Sequence, residues 1–218
     1  MRPDLVIFDC DGVLVDSESV VTRVESAYFA TLGVTIAPDE ARRRFQGQTI
    51  GQVADAIAAA RGAPLDAEAL YAWGMTTALG LVESLQAIPG VRDVAEALAA
   101  AGVATCVASQ SPLPRVRLSL AVTHLASLFG DRVFTASMVA RPKPAPDLFL
   151  YAASRMTADP ARTVVIEDSP SGVTAARAAG MTVFGYAADA AGPGAAALRD
   201  AGARVFMSMA ELPALLVA

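Results

Sequence analysis

Lysine occurs once in this 218-residue chain, at Lys143, against sixteen arginines; histidine also occurs once, at His124, and cysteine twice, at Cys10 and Cys106. One histidine and two distant cysteines, with no CxxC spacing, exclude a disulfide scaffold and a zinc site built on nitrogen and sulfur. Cys10 lies between two aspartates whose charge raises its pKa and blunts its reactivity, so both cysteines are expected as small buried residues. No stretch approaches the ~18 consecutive apolar residues that a spanning helix requires. The 54% hydrophobic fraction comes largely from alanine and carries no membrane character. A signal peptide's form is also missing, because Asp9 and Asp11 interrupt an apolar run of only four residues, Leu5–Phe8. A cytoplasmic protein with no membrane partner is expected. The net charge of −5 argues against a nucleic-acid partner. The one basic run, Arg42-Arg43-Arg44, is expected to be a solvated helix face.

What is present is a rhythm. Short apolar runs recur at Leu5–Phe8, Ala104–Ala108, Val133–Thr135, Thr163–Ile166, Thr182–Phe184 and Arg204–Phe206, the pattern of strands covered on both faces. Between them lie helical patterns at about 91–101, 112–120, 146–155, 171–179, 194–201 and 209–216, several closed by Gly102, Gly180 or Gly202. Strands alternating with helices imply βαβ units, hence an α/β fold with a doubly wound, Rossmann-like parallel sheet. From Ser17 to Leu85 only helix-period segments occur, at 17–32, 38–45, 50–61 and 66–85. The expected organisation is an α/β core of residues 1–16 and 86–218 with an inserted all-α cap of residues 17–85. A monomer is expected, since the pattern shows no exposed apolar stripe in need of a partner.

The first strand runs straight into acid: "DLVIFDCDGVLVDSE", Asp4–Glu18. In open parallel sheets ligands bind at the carboxyl ends of the strands. Asp9 and Asp11 stand at that end of the first strand. Other strand ends bring Ser109-Gln110-Ser111, Lys143 within "RPKPAPD", and Glu167-Asp168 after "TVVI". Carboxylates on one rim repel one another, by about 4 kcal/mol for a pair at ~4 Å and an effective dielectric near 20. Oxygen ligands without His or Cys select a hard cation, and a few carboxylates with water and a substrate phosphate suit Mg²⁺ better than Ca²⁺. Asp9 and Asp168 are the expected direct ligands, with a carbonyl from Asp11. A magnesium site beside a lysine and hydroxyls is equipped for phosphoryl transfer, which rests on positioning and charge neutralisation. The lone lysine in an arginine-rich chain points to a place that needs a compact ammonium rather than a planar fork. Ser169 or Ser171 is expected to cap the following helix, with Pro170 in its first turn.

"DCDGVLVDSE", "ASQS", "RPKPAPD" and "IEDSPSGV", in this order and spacing, resemble the four signature motifs of the haloacid dehalogenase superfamily, in its phosphatase and phosphomutase branch with a helical cap. The resemblance spans the whole chain. It implies that Asp9 is a nucleophile forming an aspartyl-phosphate, and that Asp11 protonates the leaving oxygen and then activates water. It further implies that Ser109 and Lys143 hold the phosphoryl group and that Glu167 and Asp168 complete the magnesium site. Gly12, directly after Asp11, permits the tight backbone of the turn that carries the second acid. Gln110 stands where relatives often have Asn, and its backbone amide offers a phosphate donor. In relatives the loop at Gly47 faces the site and selects substrate, so Phe45, Gln46, Gly47, Gln48 and Thr49 are expected to contact a polyol or sugar.

What is missing narrows the branch. The carboxylate at Asp11 argues against carbon–halogen cleavage, and a cap without lysine argues against phosphonate cleavage through a Schiff base. β-Phosphoglucomutase-like relatives carry a cap histidine and an arginine where this chain has Val20-Val21 and Gln48-Thr49-Ile50. A phosphatase of small phosphorylated metabolites is therefore the expected activity. A sugar phosphomutase is the alternative, and an inactive binding protein the remote one.

Overall fold

The computed structural model of the chain describes residues 2–45, 48–188 and 192–217. In chain order it opens with β1 (Leu5–Phe8), followed by α1 (Ser17–Thr31), α2 (Pro38–Phe45), α3 (Ile50–Arg61) and α4 (Ala67–Ser84). Next come α5 (Val91–Ala100), β2 (Ala104–Ser109), α6 (Leu113–Val122), α7 (Ala126–Phe129), β3 (Val133–Thr135) and α8 (Asp147–Arg155). The chain continues through β4 (Thr163–Glu167), α9 (Pro170–Ala178), β5 (Thr182–Tyr186), α10 (Pro193–Ala201), β6 (Arg204–Phe206) and α11 (Leu212–Val217). Its internal packing separates two compact units, one running up to Val15 and from Ala87 onward, the other Asp16–Gln86.

In the first unit six parallel strands lie in the order β3-β2-β1-β4-β5-β6, the α/β doubly wound arrangement. All four side chains of β1 are fully buried, because helices cover both faces of the sheet. Alternation sends Leu5 and Ile7 into a core with Leu148 and Phe149 of α8 and Val173 of α9. Phe8 points the other way and meets Phe129 of α7 edge to face, ring centroids 6.0 Å apart. Register pairs Phe8 with Val107 on one side and Ile166 on the other, so at the carboxyl rim β2 and β4 run past the end of β1, to Ser109 and Glu167. The strand order reverses at β1, which makes this rim the switch point where such sheets bind ligands.

Three strands run further than the apolar runs that announce them. β2 takes in Ser109, paired with Thr135, and β4 takes in Glu167, paired with Gly185. β5 extends to Tyr186, paired with Phe206. Polar Ser109 and Glu167 belong to the ladder because their side chains find partners at the rim, described below. The four-residue α7 was not expected; His124, just before it, is exposed with φ at +58° and gives its carbonyl to Arg92, the role of a turn residue.

The second unit is all α. Its interior holds Phe29, Val34, Ile36, Ala41, Phe45, Val53, Ile57 and Trp73. Gly80 brings α4 close to α1, since a Cβ there would lie 2.5 Å from Val24 Cγ2. One face of α4 remains apolar and open: Tyr71, Met75, Leu79 and Val82 are 71%, 44%, 57% and 53% exposed. These residues follow one another at helical spacing, so the premise for expecting a monomer, the absence of such a stripe, does not hold. No helix among the described residues is long and apolar enough to cross a membrane.

Candidate active site

At the rim the lysine decides the arrangement. Lys143, buried like its partners, donates from Nζ to Asp9 Oδ1 at 2.6 Å, to Glu167 Oε1 at 2.7 Å and to the Ala108 carbonyl at 3.0 Å, using all three ammonium hydrogens. Its Nζ also stands 4.8 Å from the centroid of the Phe149 ring, whose face favours a cation. Burial opposes the charge on this ammonium, but the carboxylates of Asp9 and Glu167 outweigh it and raise its pKa.

Glu167 is fully buried and committed on both oxygens. Oε2 accepts from the amides of Asp168 and Ser169, each at 3.0 Å, and from Ser169 Oγ at 2.9 Å. Ser169 in turn caps α9 by accepting from the Gly172 amide at 3.1 Å, so one hydroxyl joins the acidic turn to the helix start. Gly172 must lack a side chain, because a Cβ would sit 1.8 Å from Glu167 Oε1. Gly12 has φ at +81°, and a Cβ there would lie 2.1 Å from Asp168 Oδ2; the turn after β1 and the turn after β4 close on each other through that glycine.

Asp9, Glu167 and Asp168 each offer a ligand oxygen, and these oxygens lie within 4.8 Å of one another. Burial pushes the Asp9 carboxyl up to about 8, against the downward pull of Lys143 and with further upward pressure from Glu167 and Asp11. A carboxylate cluster that one ammonium cannot neutralise fits a hard divalent cation: its donors are all oxygen, and added positive charge would return Asp9 to its anionic form. Cys10, wedged between the acids, has its thiol pKa raised first by burial and then by Asp11 and Asp9, so it is inert for the reason expected plus a larger one.

Asp11 is held by residues outside the expected set. Ser111 Oγ donates to Asp11 Oδ2 at 2.6 Å, and Arg115 Nη2 stands 3.5 Å from Oδ1. The buried Ser109 hydroxyl accepts from the Ser111 amide at 3.0 Å, and Gln110 is half-buried between them at the end of β2. In the sequence Ser111 stands out only as one of three polar residues at a strand end, and Arg115 not at all. No local pattern marks the pair, since Ser111 precedes the helix that carries Arg115.

The structure therefore brings Asp9, Asp11, Gly12, Ser109, Gln110, Lys143, Glu167 and Asp168 to the rim of the α/β unit. The other expected contacts belong to the helical unit. Gln46 and Gly47 lie outside the described residues. Phe45, expected to contact substrate, is buried instead: its ring is packed into the interior of the helical unit, with the Arg44 guanidinium over it at 5.4 Å. Thr49 caps α3 in a reciprocal pair with Gln52, and exposed Gln48 donates to the Arg44 carbonyl at 3.0 Å. Arg42 pairs with Glu18 at 2.8 Å on the surface, as a solvated face would.

Comparison with known proteins adds the context. A haloacid dehalogenase-like hydrolase family profile matches residues 3–180. The chain is 31% identical over 189 residues to 6-phosphogluconate phosphatase of Escherichia coli strain K12, covering 86% of this chain and 84% of that one. It is 33% identical over 179 residues to fructose-1-phosphate phosphatase of the same organism, covering 81% and 92%. Among solved structures, a haloacid dehalogenase family hydrolase from Deinococcus radiodurans with bound phosphate and sodium superposes with a TM-score of 0.80 at 36% identity, covering 99% and 96%.

Proposed function

Since this chain belongs to the haloacid dehalogenase-like hydrolase family and is a phosphoric monoester hydrolase, we propose that it releases phosphate from small phosphorylated sugars or polyols through an aspartyl-phosphate on Asp9. The observation that carries this reading is Lys143 Nζ bound at once to Asp9 and Glu167, on a rim that also holds Asp168 and Asp11. In this reading Asp9 attacks phosphorus, the bond from phosphorus to the substrate oxygen breaks, and Asp11 hands that oxygen a proton. Water then takes the phosphoryl group from Asp9 while Asp11 recovers a proton, so ester and water become alcohol and phosphate. Lys143 and Ser109 steady the phosphoryl oxygens. Asp9 and Asp168 with the Asp11 carbonyl would hold Mg²⁺, which would supply neutralisation of the phosphoryl charge. Glu167, with both oxygens engaged by protein donors, orients Lys143 and the Asp168 turn.

The named phosphatases among the relatives support hydrolysis over mutase chemistry, and the missing cap histidine and arginine point the same way. A phosphate-release screen over sugar phosphates that includes 6-phosphogluconate and fructose 1-phosphate tests the reading. The expected result is magnesium-dependent release that Asp9→Asn lowers about 10³-fold or more with folding intact. Conversion of β-glucose 1-phosphate plus a bisphosphate primer into glucose 6-phosphate, without free phosphate, would establish the mutase instead.

A further inference from the structure

We infer that Ser111 and Arg115 are positioning residues for Asp11, a clamp at the start of α6 that fixes the carboxyl group for proton transfer to the leaving oxygen; the inference rests on the function proposed above. Each oxygen of Asp11 has its own donor, Ser111 Oγ at 2.6 Å on Oδ2 and Arg115 Nη2 at 3.5 Å on Oδ1. Two donors on two oxygens restrict the side chain's rotation, which one contact would leave free. The clamp is tied to the rest of the rim, because the Ser111 amide donates to Ser109 Oγ at 3.0 Å. It is also anchored in the interior, because Val116, next to Arg115, is fully buried and Leu120 one turn on is nearly so. Proton donor and phosphoryl-holding hydroxyl are thus fixed against one another by a single short segment, 109–116.

The orientation of Arg115 points the same way. Its side chain is only 22% exposed, and its buried Nε has no hydrogen-bond partner among the described residues. Buried donors left unsatisfied are uncommon, and an arginine kept for packing or surface charge would turn its fork to satisfy them. Here the fork is turned toward Asp11 and Nε goes without. Ser111 suits its half of the task, since a hydroxyl donates to a carboxylate and accepts from a carboxylic acid.

The test uses the leaving group. Nitrophenolate departs without a proton, whereas a sugar alkoxide needs one, and kcat/KM reports the step in which that oxygen leaves. The probes are p-nitrophenyl phosphate and the sugar phosphate that the wild type hydrolyses fastest in the screen. Arg115→Met and Ser111→Ala are each expected to lower kcat/KM for the sugar phosphate about tenfold, a fraction of the 10²–10⁴ that acid–base help supplies. The same variants are expected to lower kcat/KM for the aryl ester far less, with the loss in kcat rather than KM. Arg115→Lys, which keeps a donor near Oδ1, is expected to recover part of the sugar-phosphate rate. A parallel fall for both esters that follows a drop in melting temperature would make the clamp merely structural and overturn the inference. No change for either ester, or a rise in KM alone for the sugar phosphate, would overturn it too. Failure of the underlying function looks different: the wild type would then release phosphate from neither ester.

Discussion

The α/β unit and the helical unit each bury acidic side chains, but they answer the cost differently. In the helical unit a single acid, Glu25 of α1, is buried, and the Trp73 indole of α4 donates to it at 3.1 Å within the packing of two helices. In the α/β unit Asp9 and Glu167 are buried around one ammonium with Asp168 and Asp11 close by, so negative charge is in excess. A lone acid inside packed helices is met where it stands, whereas acids gathered around one ammonium at a sheet's switch point are poised to receive a cation. The units also differ on their surfaces, since the open apolar face of α4 belongs to the helical one.

The contrast can be broken first through Lys143. Lys143→Met leaves Asp9 and Glu167 buried without a counter-charge, and chemical denaturation should show a loss of about 3–5 kcal/mol. Trp73→Phe removes only a neutral donor from Glu25 and should cost about 1–3 kcal/mol. Equal losses would mean that the two buried sites are energetically alike. The pH dependence sharpens the same point. Folding raises the Asp9 carboxyl from 3.8 to about 8, so between those values the metal-free native protein holds a proton that the unfolded chain has released. Stability should therefore fall as pH rises from about 4 to 8, and Asp9→Asn should flatten that slope. Added Mg²⁺ should reverse the trend by favouring the ionised form, raising stability by about 2.7 kcal/mol at a hundredfold excess over its Kd. The smallest effects compare two glycines of like backbone. Gly62 ends α3 at φ +77° with open space around it, and Gly62→Ala should cost roughly 1 kcal/mol in thermal unfolding and leave activity intact. Gly12→Ala, at φ +81°, drives a methyl into Asp168 and should reduce magnesium affinity as well as stability.

The six strands were legible because both-face burial writes itself as continuous apolar runs, and Leu5–Phe8 and Val133–Thr135 fall on the expected residues. The runs end early at Ser109 and Glu167 because polarity, which marks a strand's end in a hydropathy pattern, is here the site itself. Asp9, Lys143 and Glu167-Asp168 could be singled out by type and place, one ammonium among arginines and acids at strand ends. The hold on Asp11 could not, since its partners stand 100 and 104 residues away and pairing at that distance leaves no local pattern. In the helical unit the residue types misled. Phe45 is expected at the substrate from its place beside the loop, yet this aromatic at the end of a short helix packs into the interior. The face of α4 was hidden because Leu70–Val82 contains no charge, and a stretch apolar on all sides does not disclose which side is open.

The most direct measurement is to mix enzyme and substrate, quench in acid within milliseconds, and find by mass spectrometry which peptide carries a phosphoryl group. The account predicts the group on Asp9, trapped more fully when Asp11→Asn slows its loss to water. Phosphate release with no phosphorylated peptide, or a phosphoryl group on any other residue, would contradict it.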